Sequence, residues 1–182
     1  MTELKIMTRR QIEIFVRKQR DAGKRIVLSS GSWDMLHVGH MRYLKAARDL
    51  GDVLIVGVDS DVKIRQRKGK DRPIVSQNER MEMLAHLAHV DVVYLKTPQH
   101  ESNALIKLIC PDVLVVSETT KHSNEQRNEK KTLCGKMVVL SAQAQTSTTA
   151  RIRLLHVNGQ KRFAERLTQE MPAFLERILN EK

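Results

Sequence analysis

Two histidines three residues apart, His37 and His40, stand in the stretch GSWDMLHVGH (Gly31–His40), directly after an apolar run. At the start of a helix, residues at i and i+3 share one face, so both imidazoles can donate to the same group. That group suits a phosphate, because the backbone N–H groups and the dipole of a helix start also favour an anion. Gly31 is expected to turn the backbone sharply and Gly39 to let a ligand or neighbouring chain approach the helix start. A zinc site would need a third ligand, and Asp34 is the only local candidate, so no metal ligand is assigned. His86, His89, His100, His122 and His156 read as surface or satisfied core residues.

A second candidate is STTARI, where Ser147, Thr148 and Thr149 open a predicted helix. Capping that helix needs one hydroxyl; the others are available to a phosphate. A third is the run KIRQRKGKDR, Lys63 to Arg72, with six basic side chains and one acid, which reads as a solvated loop following a strand. The segment VSQNERMEML adds a capping box of Ser76 and Glu79.

The elements that must position these residues follow from periodicity. RIVLSS, VLIVGVDS, VVYL, VLVVS and MVVLS are short, rich in Val and Ile, and bounded by turn residues, as buried parallel strands are. Between them lie amphipathic segments: HMRYLKAARDLG, expected to stop at Gly51, then NERMEMLAHLAH, and ESNALIKLIC before Pro111. Strict alternation implies an α/β fold, a Rossmann-like doubly wound parallel sheet of about five strands. An N-terminal helix precedes it, and a C-terminal helical extension follows. A chain of 182 residues accommodates one domain, with a core of about 24–156 and the extension at about 157–182. In such a sheet, ligands bind beyond the carboxyl ends of the strands, where GSWDMLHVGH lies.

Composition narrows the function. With 41% hydrophobic, 3% aromatic and 29% charged residues, the chain is a globular protein with an aliphatic core. Cys110 and Cys134 fit no metal pattern and are expected to be reduced thiols. The first residues lack a signal-peptide core, and no apolar run approaches the roughly 20 residues of a membrane span, so a cytoplasmic protein is expected. The net charge of +11 calls for an anionic partner. Nucleic acid is disfavoured, because the basic residues are dispersed and few aromatics are available to stack bases. Neither GxxxxGK[ST] nor a GxGxxG after the first strand is present, which disfavours P-loop kinases and dinucleotide-dependent oxidoreductases.

GSWDMLHVGH resembles the GxFDxxHxGH element of the cytidylyltransferase-like nucleotidyltransferases, with Trp33 in place of Phe. The resemblance continues, in order, through LGDVLIVGVDSD, KGKDRPIVSQNERMEML, HVDVV and STTARI. Within that family the chain looks most like the heptose 1-phosphate adenylyltransferase type, in a freestanding form without the sugar kinase. The resemblance implies catalytic roles for His37, His40 and Lys68. It implies nucleotide contacts at Gly31, Ser32, Trp33, Asp34, Gly39, Lys70 and Arg80, and triphosphate contacts at Ser147, Thr148 and Thr149. Arg65, Arg67 and Arg72 are expected to be solvated or to steer substrate, and Asp34 to brace its loop. Magnesium is expected as a cofactor, bound mainly through substrate phosphates.

The implied reaction transfers a nucleoside monophosphate to a phosphorylated acceptor and releases pyrophosphate. Cytidylyltransferases of the family carry an arginine in a run like RTEGIST, where this chain reads AQAQTST, which favours ATP over CTP. The acceptor stays open, because SETTKHSNEQ (Ser117–Gln126) replaces the glycine-rich run of the heptose type. A sugar 1-phosphate is the first expectation. A CTP-dependent enzyme acting on glycerol 3-phosphate or phosphoethanolamine is the alternative. A non-catalytic nucleic-acid-binding or regulatory module on the same fold is the contrasting class. A homodimer is expected on frequency alone.

Overall fold

The five Val- and Ile-rich runs form β1 (Ile26–Gly31), β2 (Val53–Asp59), β3 (Val92–Lys96), β4 (Val113–Ser117) and β5 (Lys136–Leu140) in the computed structural model. It describes residues 5–99, 103–120, 123–143, 155 and 159–171. All neighbours pair in parallel, in the order β3-β2-β1-β4-β5. The helices are α1 (Arg9–Asp21), α2 (Val38–Arg48), α3 (Asp61–Lys68), α4 (Gln77–Ala85), α5 (Ala104–Ile109) and α6 (Asn124–Thr132). The expected doubly wound sheet of five strands is therefore present, with an N-terminal helix before it.

Because side chains alternate across a strand, each strand feeds two cores. Val27, Leu54, Val56 and Val93 pack with Leu44 and Ala47 of α2 and Leu84 of α4 on one face. Ile26, Leu28, Ile55 and Leu114 pack with Ile12 and Val16 of α1 and Ile109 of α5 on the other. Burial on both faces is why these strands read as continuous apolar runs.

Two local expectations change. The helix expected to stop at Gly51 ends at Arg48 with Asp49 as its C-cap. Gly51 has a packing role instead: a Cβ there would meet Val27 Cγ2 at 2.7 Å and the Arg25 carbonyl oxygen at 2.8 Å. The basic run expected as a loop is helical up to Lys68. Ser60 caps α3 by accepting from the Lys63 N–H at 3.3 Å, Ile64 anchors it in the core, and Arg65, Arg67 and Lys68 complement the dipole in its last turn.

The chain divides into two compact units, Met1–Gln145 and Thr146–Lys182. The sequence reading put the core boundary at about 156. In the second unit residues 159–171 are helical, with Arg166 paired to Glu170 one turn on at 3.2 Å. The predicted helix opening at Ser147 lies outside the described residues.

Candidate active site

The strand order reverses between β1 and β4, and the histidine-bearing segment leaves the sheet at the end of β1. Crevices at such reversals are where open parallel sheets bind ligands. Gly31 remains part of the strand, and the sharp turn assigned to it lies further on, at Trp33 (φ 54°) and Met35 (φ 50°). Each left-handed residue costs roughly 1–2 kcal/mol. Trp33 is held by its buried indole N–H, which donates to the Gly57 carbonyl oxygen at 3.0 Å. Its ring meets His40 edge-on with centroids 5.7 Å apart.

Asp34 holds the same segment. It is 4% exposed and accepts from the backbone N–H groups of Ile74 (3.1 Å) and Val75 (3.0 Å) and from Arg72 Nη2 at 2.6 Å. Removing either partner would strand a buried charge, at a cost of about 3–5 kcal/mol. Asp34 thus ties the histidine segment to the stretch after α3, the bracing role expected of it. Arg72, expected to be solvated, is the other half of that brace and is only 16% exposed.

His37 is the N-cap of α2, and its Nδ1 accepts from the Gly39 N–H at 3.1 Å. His40 Nδ1 accepts from the His37 N–H at 3.3 Å, which completes a capping box built from imidazoles. A ring nitrogen that accepts an N–H carries no proton, so each neutral ring holds its proton on Nε2, on the side away from the helix backbone. The ring centroids are 4.0 Å apart. Burial, then the neighbouring His37, push the His40 imidazole down to about 4, against the opposing pull of Asp34. His40 is therefore a neutral donor at neutral pH. Gly39 is buried in the first turn of α2.

Arg80 is placed differently from its expectation. Its side chain is fully buried, with Nε donating to the Val75 carbonyl at 3.0 Å, Nη1 to the Ser32 carbonyl, and Nη2 to the Asp59 carbonyl at 2.9 Å and Asp61 Oδ1 at 2.7 Å. All three nitrogens serve protein acceptors, so Arg80 clamps the segments leaving β1 and β2 instead of presenting a charge to the cleft. Ser32 also accepts from Arg67 Nη2 through its hydroxyl, at 2.9 Å.

Lys68 ends α3. Partial burial, then the guanidinium groups of Arg67 and Arg72, push its ammonium below the ordinary value, and it is close enough to His40 to lower that imidazole too. Lys68 and the histidines therefore share one electrostatic neighbourhood. Lys70 is exposed beyond the helix. Ser147, Thr148 and Thr149 lie outside the described residues.

Two residues at this edge were absent from the sequence reading. Asp59 ends β2, is 2% exposed, and pairs with Lys96 Nζ at 3.3 Å and Arg67 Nη2 at 3.0 Å. Burial would raise its carboxyl, but the charges of Lys96 and Arg67 prevail and hold it below the ordinary range. Lys96 ends β3 in register with Asp59. A charged residue closing an otherwise apolar strand is the signal that could have found both. Gly57 leaves room for this pair, since a Cβ there would meet Lys96 Cδ and Ser30 Cβ, each at 2.9 Å.

Residues 28–154 match the protein family described as cytidylyltransferase-like. Among curated proteins, the chain is 46% identical over 107 residues to the bifunctional protein HldE of Nitratiruptor sp., covering 58% of this chain and 22% of that protein. It is 45% identical over 113 residues to the protein of the same name from Aliarcobacter butzleri, covering 60% and 23%. The chain thus spans under a quarter of the length of these relatives. Among solved structures, the lipopolysaccharide core biosynthesis protein of Thermoplasma volcanium superposes with a TM-score of 0.59 at 30% identity, covering 66% of this chain and 98% of that one. Pantoate-beta-alanine ligase of Francisella tularensis shares the fold, with a TM-score of 0.54 at 19% identity over 77% of this chain and 67% of that one.

Proposed function

The chain belongs to the cytidylyltransferase-like family of nucleotidyltransferases, and from that premise we propose that it transfers AMP from ATP to a phosphorylated acceptor of the sugar 1-phosphate class. The observation that carries this reading is the imidazole pair at the start of α2, with both Nε2–H donors beyond the end of β1. An acceptor phosphate oxygen attacks the α-phosphorus of the triphosphate, a new P–O bond forms, and the bond to pyrophosphate breaks. The attacking oxygen is already anionic, so no protein nucleophile is needed. His37 and His40 donate to phosphate oxygens as charge builds toward the leaving group, and Lys68 neutralises part of it.

Magnesium fits as an ion carried by the substrate phosphates, whose charge it would help to neutralise. The two carboxylates at the sheet edge, Asp34 and Asp59, are each engaged by cationic side chains, and no cluster of three potential ligands occurs among the described residues. The acceptor class is supported by the likeness to the lipopolysaccharide core protein and to the HldE proteins.

Pyrophosphate release from ATP and from CTP, each with sugar 1-phosphates, glycerol 3-phosphate and phosphoethanolamine, tests this reading. Lacking an arginine before Ser147, the chain should prefer ATP by at least about tenfold in kcat/KM, equivalent to about 1.4 kcal/mol. Faster turnover with CTP would transfer the assignment to the cytidylyl class.

A further inference from the structure

Arg67, in the last turn of α3, joins that helix to the ends of two strands through a single nitrogen. Its Nη2 donates at 2.9 Å to the hydroxyl of Ser32, the residue after β1, and at 3.0 Å to Oδ2 of Asp59, the last residue of β2. Both acceptors are themselves held. The fully buried Arg80 donates to the backbone carbonyls of Ser32 and Asp59, and Lys96 Nζ occupies the other oxygen of Asp59 at 3.3 Å. The two hydrogens of Arg67 Nη2 are thereby used, while Nε and Nη1 carry three further N–H donors that meet no protein acceptor among the described residues. One carboxylate between two cations leaves one positive charge in excess. The Arg67 side chain is 53% exposed against 14% for Lys96, so Arg67 is the cation that presents this excess to solvent.

Ordering a flexible side chain opposes binding, so a guanidinium already fixed by its own protein takes up a phosphate oxygen more favourably than a free one. This one stands at the carboxyl ends of β1 and β2, on the edge where parallel sheets bind ligands, and Lys68 follows it in the chain. We propose that Arg67 contacts a phosphate group of the reactants directly, its guanidinium oriented in advance by Ser32 and Asp59. The contact rests on the transferase reading for its role and deepens that reading by placing a fixed guanidinium beside Lys68. The phosphate belongs to the nucleotide or to the acceptor, and the two sources are separable by binding.

The test is calorimetric binding to the full chain with two probes: α,β-methylene ATP alone, and glucose 1-phosphate added to the chain saturated with that analogue. Arg67→Met should weaken at least one probe by about tenfold or more, and the probe affected identifies the phosphate. Arg65→Met removes the same charge from the same helix and should change both by less than about threefold. Arg67→Lys keeps the charge but not the planar fork, and should stay at least about threefold weaker than the parent. Ser32→Ala should weaken the same probe about threefold in the parent and have no effect in the Arg67→Met background. The denaturation midpoint of Arg67→Met should stay near that of the parent, because Lys96 still pairs with Asp59. A loss under about threefold on both probes, failure of the parent to bind either, equal losses with Arg65→Met, full recovery by Arg67→Lys, or a Ser32→Ala loss that persists without Arg67 overturns the proposal. Pyrophosphate release is scored separately with ATP: its absence with every acceptor counts against the transferase reading, while the binding ratios still decide the contact.

Discussion

In the proposed reaction His40 donates to phosphate from a neutral ring, and burial of that ring fixes its pH behaviour. Its folded value of about 4 lies below the roughly 6.5 of an unfolded chain, so on acidification the unfolded chain takes up the proton first. The stability it contributes is complete above about pH 6.5 and is lost as pH falls through about 4. A titration of the His40 Cε1–H resonance should have its midpoint near 4, and His37→Gln should move that midpoint upward by removing the neighbouring imidazole, the second cause of the lowering after burial. A folded-state midpoint near 6.5 would contradict the buried, neutral ring. Replacing either histidine with alanine should lower kcat by about a hundredfold, the scale for losing one preorganised donor. Loss of a cap costs about 1 kcal/mol, so the thermal midpoint should fall by only about 2–4 °C. Near-normal turnover with a much lower midpoint would make the pair structural.

At the scale of elements, Arg80 holds segments together, while the proposed reaction assigns Lys68 a part in catalysis. Arg80→Met keeps the volume filled but strands Asp61 and three backbone carbonyls, so denaturation should show a loss of about 3 kcal/mol or more. Lys68→Ala should leave the denaturation midpoint near that of the parent while lowering kcat/KM by about tenfold or more, and Arg65→Ala should change it by less than about threefold. Equal, small losses at Lys68 and Arg65 would remove α3 from the catalytic machinery. The strands and helices α1, α2, α4 and α5 were legible in the sequence because burial on one or both faces leaves a periodic apolar signature. Neither α3 nor α6 has one: α3 buries only Ile64 and α6 buries nothing, so capping and charge define them. The histidine pair was legible from spacing alone. Arg72 and Arg80 were not, since sequence places a guanidinium near an edge without saying that it turns inward. The Asp59–Lys96 contact was hidden for a related reason, because 37 residues separate them and only strand register joins them.

For the whole molecule, the net charge of +11 acts on substrates before contact. The two polyanionic reactants of the proposed transfer would be drawn by a field that salt screens, with a Debye length of about 10 Å at 0.1 M. Raising KCl from about 20 to about 300 mM should raise KM for ATP and acceptor at least about threefold, with kcat within about twofold. A KM indifferent to salt would confine the excess charge to local roles. The placement of β1 between β2 and β4 reaches further still, into the making of the protein. The Ile26 N–H donates to Asp112 Oδ2, 86 residues along the chain, and the β1–β4 pairing lies beside it. Pairings this distant close late, because the intervening loop entropy must be overcome first. As the chain leaves the ribosome, β1 can pair with β2 and β3 well before β4 has been synthesised, and its other edge waits unpaired. For that interval the nascent sheet exposes the backbone of Val27, Leu28 and Ser29, the residues that β4 later covers, which makes this edge the place where delayed synthesis or crowded refolding leads to aggregation.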